Sequence, residues 1–201
     1  MTSQAQLRSP RERYREVLRR EILDAAREAF VRYGYNGVSV RKVAARVGCS
    51  HGNLYLHFKD KEALFDCLVE ESYEKFAEGF SKVPDAARRG DPVEFLRIAG
   101  RAYVEFGLAN PSAYEFLFLM RRPGKRPQKP HVTFEKMRSL VQRCIDEKRF
   151  RRIDVDTASQ SLWAAAHGIT SLLILRPTFP WVERDQLIGQ VIDAAVDGLL
   201  A

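Results

Sequence analysis

The sequence predicts an all-α protein with a small N-terminal three-helix domain, which contains a helix-turn-helix, and a larger helical C-terminal domain. Apolar residues recur at spacings of three and four along most of the chain, which is the period of amphipathic helices. Glycine, proline and asparagine lie between these periodic segments, where they end helices and form turns. The expected layout is a basic N-terminal arm over 1–15, the helix-turn-helix domain over 16–61 and the C-terminal domain over 62–201.

The excess positive charge lies entirely in the first third of the chain. The sequence has 33 Lys and Arg against 26 Asp and Glu, a net charge of +7. Residues 1–61 contain 13 basic and 6 acidic side chains, which accounts for the whole excess, and the other residues contain 20 of each. This segregation favours a surface that meets a polyanion, because Lys and Arg that neutralise phosphates release counterions.

Composition argues against several protein classes. The sequence has no apolar run long enough to span a membrane, and its charged first residues do not form a secretory signal, so we expect no membrane partner. Cys49, Cys67 and Cys144 form no close pair, which predicts a reducing compartment, best the prokaryotic cytoplasm. No nucleophile–base–acid grouping, glycine-rich phosphate loop or metal-ligand spacing appears, so we expect neither an enzyme nor a cofactor or metal site.

Residue types at helix ends set the boundaries of the N-terminal elements. Ser39, Ser50 and Asp60 are good N-caps, while Gly34 and Gly48 are typical C-terminal stops. The short connection GCS between the second and third helices is that of a helix-turn-helix. These signals predict helices over 15–34, over 40–47, from 51 to about 58, and over 61–80.

The third of these helices, in the stretch SHGNLYLHF, is a poor helix former with many short polar residues. A glycine inside a helix costs about 1 kcal/mol relative to alanine. A bare helix surface is useful in the major groove of DNA, because the backbone can then approach phosphates and base edges. Leu54 and Phe58 would hold the helix to its domain. The expected DNA contacts are Ser50, His51, Gly52, Asn53, Tyr55, His57 and Lys61.

At these residues the sequence resembles a known family. The segment GVSVRKVAARVGCSHGNLYLHFKDKEALF is similar to the DNA-binding domain of the TetR family of bacterial transcriptional repressors, over about residues 18–66. The resemblance adds Ser39 and Arg41 to the expected DNA contacts. It departs at Leu56, where an aromatic residue or a histidine is common. The alternatives are that Tyr55 belongs to the core and that His57 and Arg41 are ordinary solvated side chains.

The arginines of the first fifteen residues have two interpretations. Arg8, Arg11, Arg13 and Arg15 form either a disordered basic arm that adds nonspecific DNA affinity or a solvated tail.

The neutral remainder of the chain is also helical by pattern, apart from a proline-rich loop over 121–130. Its run WAAAHG resembles the WHG-type C-terminal domain of some TetR-like regulators, with Trp163, His167 and Gly168 as the matching residues. The density of aromatic residues predicts a pocket for a small hydrophobic or aromatic effector, and the alternative is an aromatic core. The candidate pocket residues are Tyr103, Phe106, Tyr114, Phe118, Phe134, Trp163 and His167.

The last two predicted helices carry more than one apolar stripe. This pattern favours burial against both the subunit's own core and a second subunit, and the alternative is a central helix of a monomer. The resemblance also implies a homodimer. The candidate interface residues are Leu162, Ala165, Ile169, Leu173, Ile188, Val191, Ile192, Ala195 and Leu199.

Together the pattern and the resemblance imply a ligand-binding and dimerisation domain behind a DNA-binding domain. The expected function is that of a TetR-like regulator, a repressor that a small apolar or aromatic ligand releases from a palindromic operator in double-stranded DNA. Such a protein would be cytoplasmic, and nucleoid-associated when bound to DNA. The alternatives are a transcriptional activator and a nonspecific nucleoid-associated DNA binder.

Overall fold

The computed structural model describes residues 9–81, 90–120 and 132–201, and in these ranges the protein is all-α, as expected. An isolated antiparallel bridge joins Phe150 and Leu200. Arg8 and the predicted loop over 121–130 lie outside the described residues. The helices are α1 (Pro10–Gly37), α2 (Val40–Val47), α3 (His51–Tyr55), α4 (Lys61–Ser81), α5 (Pro92–Ala109), α6 (Pro111–Tyr114), a π-helical turn (Glu115–Leu119), α7 (Val132–Asp146), α8 (Val155–Leu175) and α9 (Arg184–Asp197).

The chain divides into two compact units whose boundary differs from the expected one after residue 61. The first unit comprises residues 1–72 and 115–122, and the second comprises residues 73–114 and 123–201. The division therefore falls inside α4, and the π-helical turn belongs to the first unit. None of the helices in the described ranges is apolar over a length that would cross a membrane.

Helix α1 begins earlier than the sequence pattern predicts. Ser9 caps it with a capping box: the Ser9 hydroxyl accepts from the Glu12 backbone N–H at 3.2 Å, and the Glu12 carboxylate accepts from the Ser9 N–H at 2.7 Å. Pro10 occupies the first helical position, where its fixed φ is favourable. Residues 10–15 are therefore helical, which excludes, for these residues, the alternative of a disordered arm.

The predicted N-caps and the end of α2 at Gly48 are confirmed, whereas α1 runs on to Gly37 across a break at Gly34, where the sequence predicts its end. The hydroxyls of Ser39 and Ser50 accept from the backbone N–H groups three residues ahead, at 3.3 and 3.1 Å. The Asp60 carboxylate accepts from the third N–H of α4 at 2.7 Å. Gly34 and Gly48 have φ values of 66° and 76°, in the left-handed region that glycine tolerates. Helix α3 stops at Tyr55, two or three residues earlier than expected.

The core of the first unit joins α1, α3, α4 and the π-helical turn. Ile22, Leu23, Leu54 and Leu64 are fully buried there. The ring of Phe30 meets the rings of Phe65 and Phe116 edge to face, at centroid distances of 5.1 and 6.1 Å. Such aromatic contacts add to apolar burial, so this unit has a substantial core of its own.

In the second unit α5 packs against α8 at Gly107. A Cβ placed on Gly107 would lie 2.3 Å from Thr170 Cγ2 and 2.9 Å from the Tyr114 ring. Both neighbours are buried, and such contacts are too short for any other residue. Gly107 therefore sets how closely these two helices approach.

Most of the predicted dimer-interface residues are already buried within the single chain, and the interface itself stays a prediction. Six of the nine candidates are buried within the single chain, where α8 packs against α5, α7 and α9, and α9 packs against α5 and α8. A side chain in the subunit's own core is not available to a partner. The six are Leu162, Ile169, Leu173, Ile188, Ile192 and Leu199, while Ala165, Val191 and Ala195 are half-buried.

Candidate functional site

The segment from Ser50 to Phe58 separates its polar and apolar side chains onto two sides. Leu54 and Phe58 are buried in the core of the first unit. Tyr55 has 48% of its surface exposed, so the alternative that it belongs to the core is wrong. Ser50, His51, Gly52 and Asn53 are also exposed. The predicted arrangement of this segment, with apolar side chains buried behind an exposed polar surface, is confirmed.

Gly52 has no steric role among the described residues. A Cβ placed there would meet a single neighbouring atom, the Ser50 hydroxyl oxygen at 4.0 Å, and its φ lies outside the left-handed region. Alanine would therefore fit and would favour the helix by up to about 1 kcal/mol. No described residue gives a steric reason for glycine at this position, and the surface of α3 at Gly52 is open to a partner from outside.

Two aromatic side chains flank this bare position. The rings of His51 and Tyr55 meet edge to face with a centroid distance of 4.7 Å, one helical turn apart. The contact orients the Tyr55 phenol on the exposed face of the helix. Leu56, which departs from the family pattern, is 72% exposed beside it. The surface therefore presents both hydrogen-bonding and apolar groups.

His57 lies beside two arginines of α1. Partial burial lowers the pKa of His57 below its ordinary value of 6.5, and the charges of Arg15 and Arg19 lower it further. The Arg19 guanidinium lies over the Phe58 ring, 5.3 Å from its centroid, and donates to the Cys67 Sγ at 2.9 Å. His57 is consequently neutral at pH 7 in the protein alone. An anion at this position would offset the neighbouring positive charge and favour the protonated ring.

Lys61 has partners inside its own unit that the sequence did not reveal. Its Nζ donates to the Tyr35 carbonyl at 3.1 Å and lies 4.2 Å from the centroid of the Tyr35 ring. These contacts explain a lysine in the first turn of a helix, where the dipole disfavours it. Ser39 and Arg41 are exposed at the start of α2. A contact of Lys61 with DNA stays a prediction.

A second group of polar side chains lies buried in the second unit. The Tyr114 hydroxyl is 2.6 Å from His167 Nδ1 and 3.5 Å from the Tyr103 hydroxyl. The Tyr103 hydroxyl also lies 3.3 Å from the same His167 nitrogen and accepts from the Trp163 indole N–H at 3.3 Å. These four residues, Tyr103, Tyr114, Trp163 and His167, are called the polar cluster below.

Burial keeps the ionisable members of the polar cluster neutral. It lowers the pKa of His167, raises the pKa of Tyr114 to about 12 and raises that of Tyr103 still further. The exposed fraction of Trp163 is 38%, which places one edge of the cluster at the subunit surface. The cluster therefore offers hydrogen bonds within an aromatic setting and no fixed charge of its own.

The other predicted pocket residues are divided among different places. Phe134 meets the Trp163 ring at a centroid distance of 5.9 Å. Phe106 is connected through Phe76, a residue that sequence reasoning missed and whose ring lies 4.9 Å from Phe106 and 5.7 Å from Tyr103. Phe118 is assigned to the first unit, and its place in a pocket stays a prediction. Within the described ranges no cluster of His, Cys, Asp and Glu is arranged to hold a metal ion.

Comparison with protein families matches both parts of the chain. Residues 22–68 match the family described as bacterial regulatory proteins of the tetR family. Residues 96–199, more than half of the chain, match the tetracyclin repressor-like C-terminal domain. The chain belongs to the TetR family. The WHG type suggested by the WAAAHG run stays an untested resemblance.

TetR-family relatives share mainly the N-terminal region. The chain is 46% identical over 59 residues to the transcriptional repressor Rv1474c of Mycobacterium tuberculosis, a match that covers 29% of this chain and 32% of the relative. It is 45% identical over 60 residues to the repressor AcnR of Corynebacterium diphtheriae, covering 30% and 32%. These matches span about a third of each relative.

A solved structure is similar along the whole chain. A protein of unknown function from Rhodococcus sp. RHA1 superposes with a TM-score of 0.74 and covers 99% of this chain and 100% of its own. The two sequences are 22% identical, so this likeness concerns the fold alone.

Proposed function

We propose that the protein is a transcriptional repressor that binds a palindromic DNA operator as a homodimer and is released by a small effector. The observation that carries the DNA-binding part is the surface of α3, where an apolar anchor holds an exposed polar helix and Gly52 has no internal role. One α3 enters each of two successive major grooves, as in other helix-turn-helix dimers.

The contacts divide between bases and phosphates. Asn53 is suited to an adenine edge, which its amide can bind with two hydrogen bonds. Tyr55 and His57 donate to phosphates beside the groove, and Ser39 and Arg41 contact the backbone from α2. The remaining contributors are Ser50, His51, Gly52 and Lys61.

The dimer forms through the exposed side of α8 and the half-buried side of α9. Ala165, Gly168, Leu172 and Leu175 follow one another at helical spacing, and Leu172 and Leu175 are exposed large apolar residues. A two-fold pairing of this face would cover them. Sedimentation should show a dimer for the parent and a monomer for Leu172→Asp. A parent that sediments as a monomer at micromolar concentration would refute this part.

The effector binds at the polar cluster, among aromatic rings. Trp163 at the surface and Phe134 beside it form an entry, and the hydroxyls of Tyr103 and Tyr114 with His167 provide hydrogen bonds. A small apolar or aromatic molecule with one polar group suits this mixture. The effector releases DNA only if it binds the DNA-bound and the released conformations with different affinity. A ligand that binds without changing operator affinity would contradict this step.

Selection of bound fragments from a random DNA pool tests the proposal, because it gives both the operator and its symmetry. On the selected site Tyr55→Ala should weaken binding by roughly 1–3 kcal/mol while the fold is retained. Tyr33→Ala, which removes an exposed tyrosine of α1, is the control and should bind like the parent. A pool without a preferred sequence would favour a nonspecific binder, and a reporter that rises with the protein would favour an activator.

A further inference from the structure

Three arginines of α1 lie in one row. Arg11, Arg15 and Arg19 are four residues apart, and residues at this spacing share a helix face. Because α1 begins at Pro10 with a capping box, all three are part of the helix. At a rise of about 1.5 Å per residue the row is about 12 Å long.

The inner end of the row adjoins the candidate DNA surface. Arg19 lies over the Phe58 ring, directly after His57 in the chain. The charges of Arg15 and Arg19 both act on His57. The row therefore runs outward along α1 from the end of the segment that contains α3.

The fold itself gains little from the outer part of this row. Residues 9–17 are all exposed, and Leu18 is the first buried side chain of α1. Neither Arg11 nor Arg15 forms an ion pair with another residue that the structure describes. Like charges at this spacing destabilise a helix by a few tenths of a kcal/mol, roughly 0.2–0.5 per pair.

Three other arginines of the first unit, Arg20, Arg27 and Arg46, have carboxylate partners, whereas the remaining ones form no ion pair with a residue that the structure describes. Arg27 contacts Asp24 at 2.8 Å and Glu71 at 2.6 Å, and Arg46 contacts Glu28. These ion pairs belong to the fold, whereas Arg11 and Arg15 present their charges at the exposed start of α1 without a carboxylate partner among the described residues.

We propose that Arg11 and Arg15 form a second DNA-contacting surface, which grips the phosphate backbone beside the base pairs that α3 reads. This inference rests on the proposed DNA-binding function. A duplex fits this row because its backbone supplies a continuous line of negative charge, whereas a base-reading contact would need a planar edge for each guanidinium. The contact is independent of sequence and lengthens the footprint of each subunit.

Salt dependence of DNA binding tests the row. Binding to a labelled duplex of mixed sequence, long enough to extend well beyond both α3 helices, is measured by fluorescence anisotropy over a series of KCl concentrations. Each phosphate contact contributes about 0.9 to the slope of log affinity against log salt. Arg11→Gln should therefore lower the slope by about 1, and Arg11→Gln with Arg15→Gln by about 2.

Arg13→Gln is the matched control, because Arg13 is an equally exposed arginine of the same helix turn that lies off the row. Its slope should equal that of the parent, and thermal unfolding should be the same for all variants. A row variant with the parent's slope, or an equal fall for Arg13→Gln, overturns the inference.

The length of the duplex tests where the contact lies. On operator duplexes trimmed to the selected palindrome, the parent and Arg11→Gln should bind alike, whereas a persisting difference overturns the flanking position. Failure of the inference and failure of the proposed function are distinguishable. If Tyr55→Ala still weakens operator binding while Arg11→Gln changes nothing, only the inference fails, but a parent that binds no DNA overturns both.

Discussion

The exposed surface of α3 and the polar cluster of the second unit use similar residue types in opposite ways. Both contain tyrosine, histidine and a nearby glycine. In the cluster, Tyr114 and His167 bond to each other, and Gly107 makes room for the Tyr114 ring. On α3, Tyr55 is half exposed and nothing packs against Gly52. The polar groups of the cluster bond to one another inside the protein, while those on the outer face of α3 are exposed.

The largest effect is expected at the packed glycine. Gly107→Ala places a methyl group 2.3 Å from Thr170 Cγ2, so the free energy of unfolding should fall by roughly 1–3 kcal/mol. Urea denaturation measures it. Gly79→Ala is the control, because its added Cβ would meet the Phe106 ring at an ordinary 3.5 Å. Equal losses for both variants would contradict the packing role of Gly107.

Removing the hydroxyl from Tyr114 or from Tyr55 tests the same comparison with one chemical change at each site. Tyr114→Phe removes the hydroxyl that bonds to His167 and should lower the free energy of unfolding by roughly 1–2 kcal/mol. Tyr55→Phe removes an exposed hydroxyl and should change it by less than about 0.5 kcal/mol. Urea denaturation of the two variants side by side checks this. Similar stability losses would mean that the Tyr55 hydroxyl has an internal partner.

The local ends of the helices could be predicted from the sequence because they depend on neighbouring residues. Ser39, Gly48 and Ser50 each act within four residues of their own position, and their roles are those expected. Helix α1 begins at Pro10, earlier than the apolar pattern predicts. The density of charge in this segment favours an arm, but Ser9 and Glu12 have the spacing of a capping box, and this local signal decides where the helix begins.

The features that the sequence does not predict depend on contacts between residues that are distant in the chain. Periodicity identifies the apolar stripes of α8 and α9 but does not show which stripe the subunit itself covers, and Ile169 and Ile192, two candidates for the dimer interface, are buried within the single chain. The hydrogen bond from Lys61 to the Tyr35 carbonyl joins positions 26 residues apart, so the sequence pattern does not reveal it. The polar cluster likewise joins α5, α6 and α8, and no short motif reveals that its hydroxyls meet.

The two histidines should differ in their effect on the pH dependence of DNA binding. The pKa of His57 is lowered in the protein alone, and a phosphate beside it would raise that pKa, so binding takes up a proton. Operator affinity should therefore rise as pH falls below about 7, by at most about tenfold per pH unit for each proton. Anisotropy titrations at several pH values measure it.

Substitution separates His57 from the buried histidine. His57→Gln should flatten the rise in affinity at low pH, while His167→Gln, in a folded protein, should retain it. An unchanged pH profile in His57→Gln would show that His57 does not meet a phosphate.

Gly52→Ala tests most directly whether α3 is shaped by a DNA partner rather than by the fold. The added methyl group meets open space within the chain, so the free energy of unfolding should stay the same or rise by up to about 1 kcal/mol. The same methyl group should keep the helix away from the groove and weaken operator binding at least about tenfold, or about 1.4 kcal/mol. Both quantities are measured on one preparation. A variant that binds the operator like the parent, or that loses stability as Gly107→Ala does, would contradict the account.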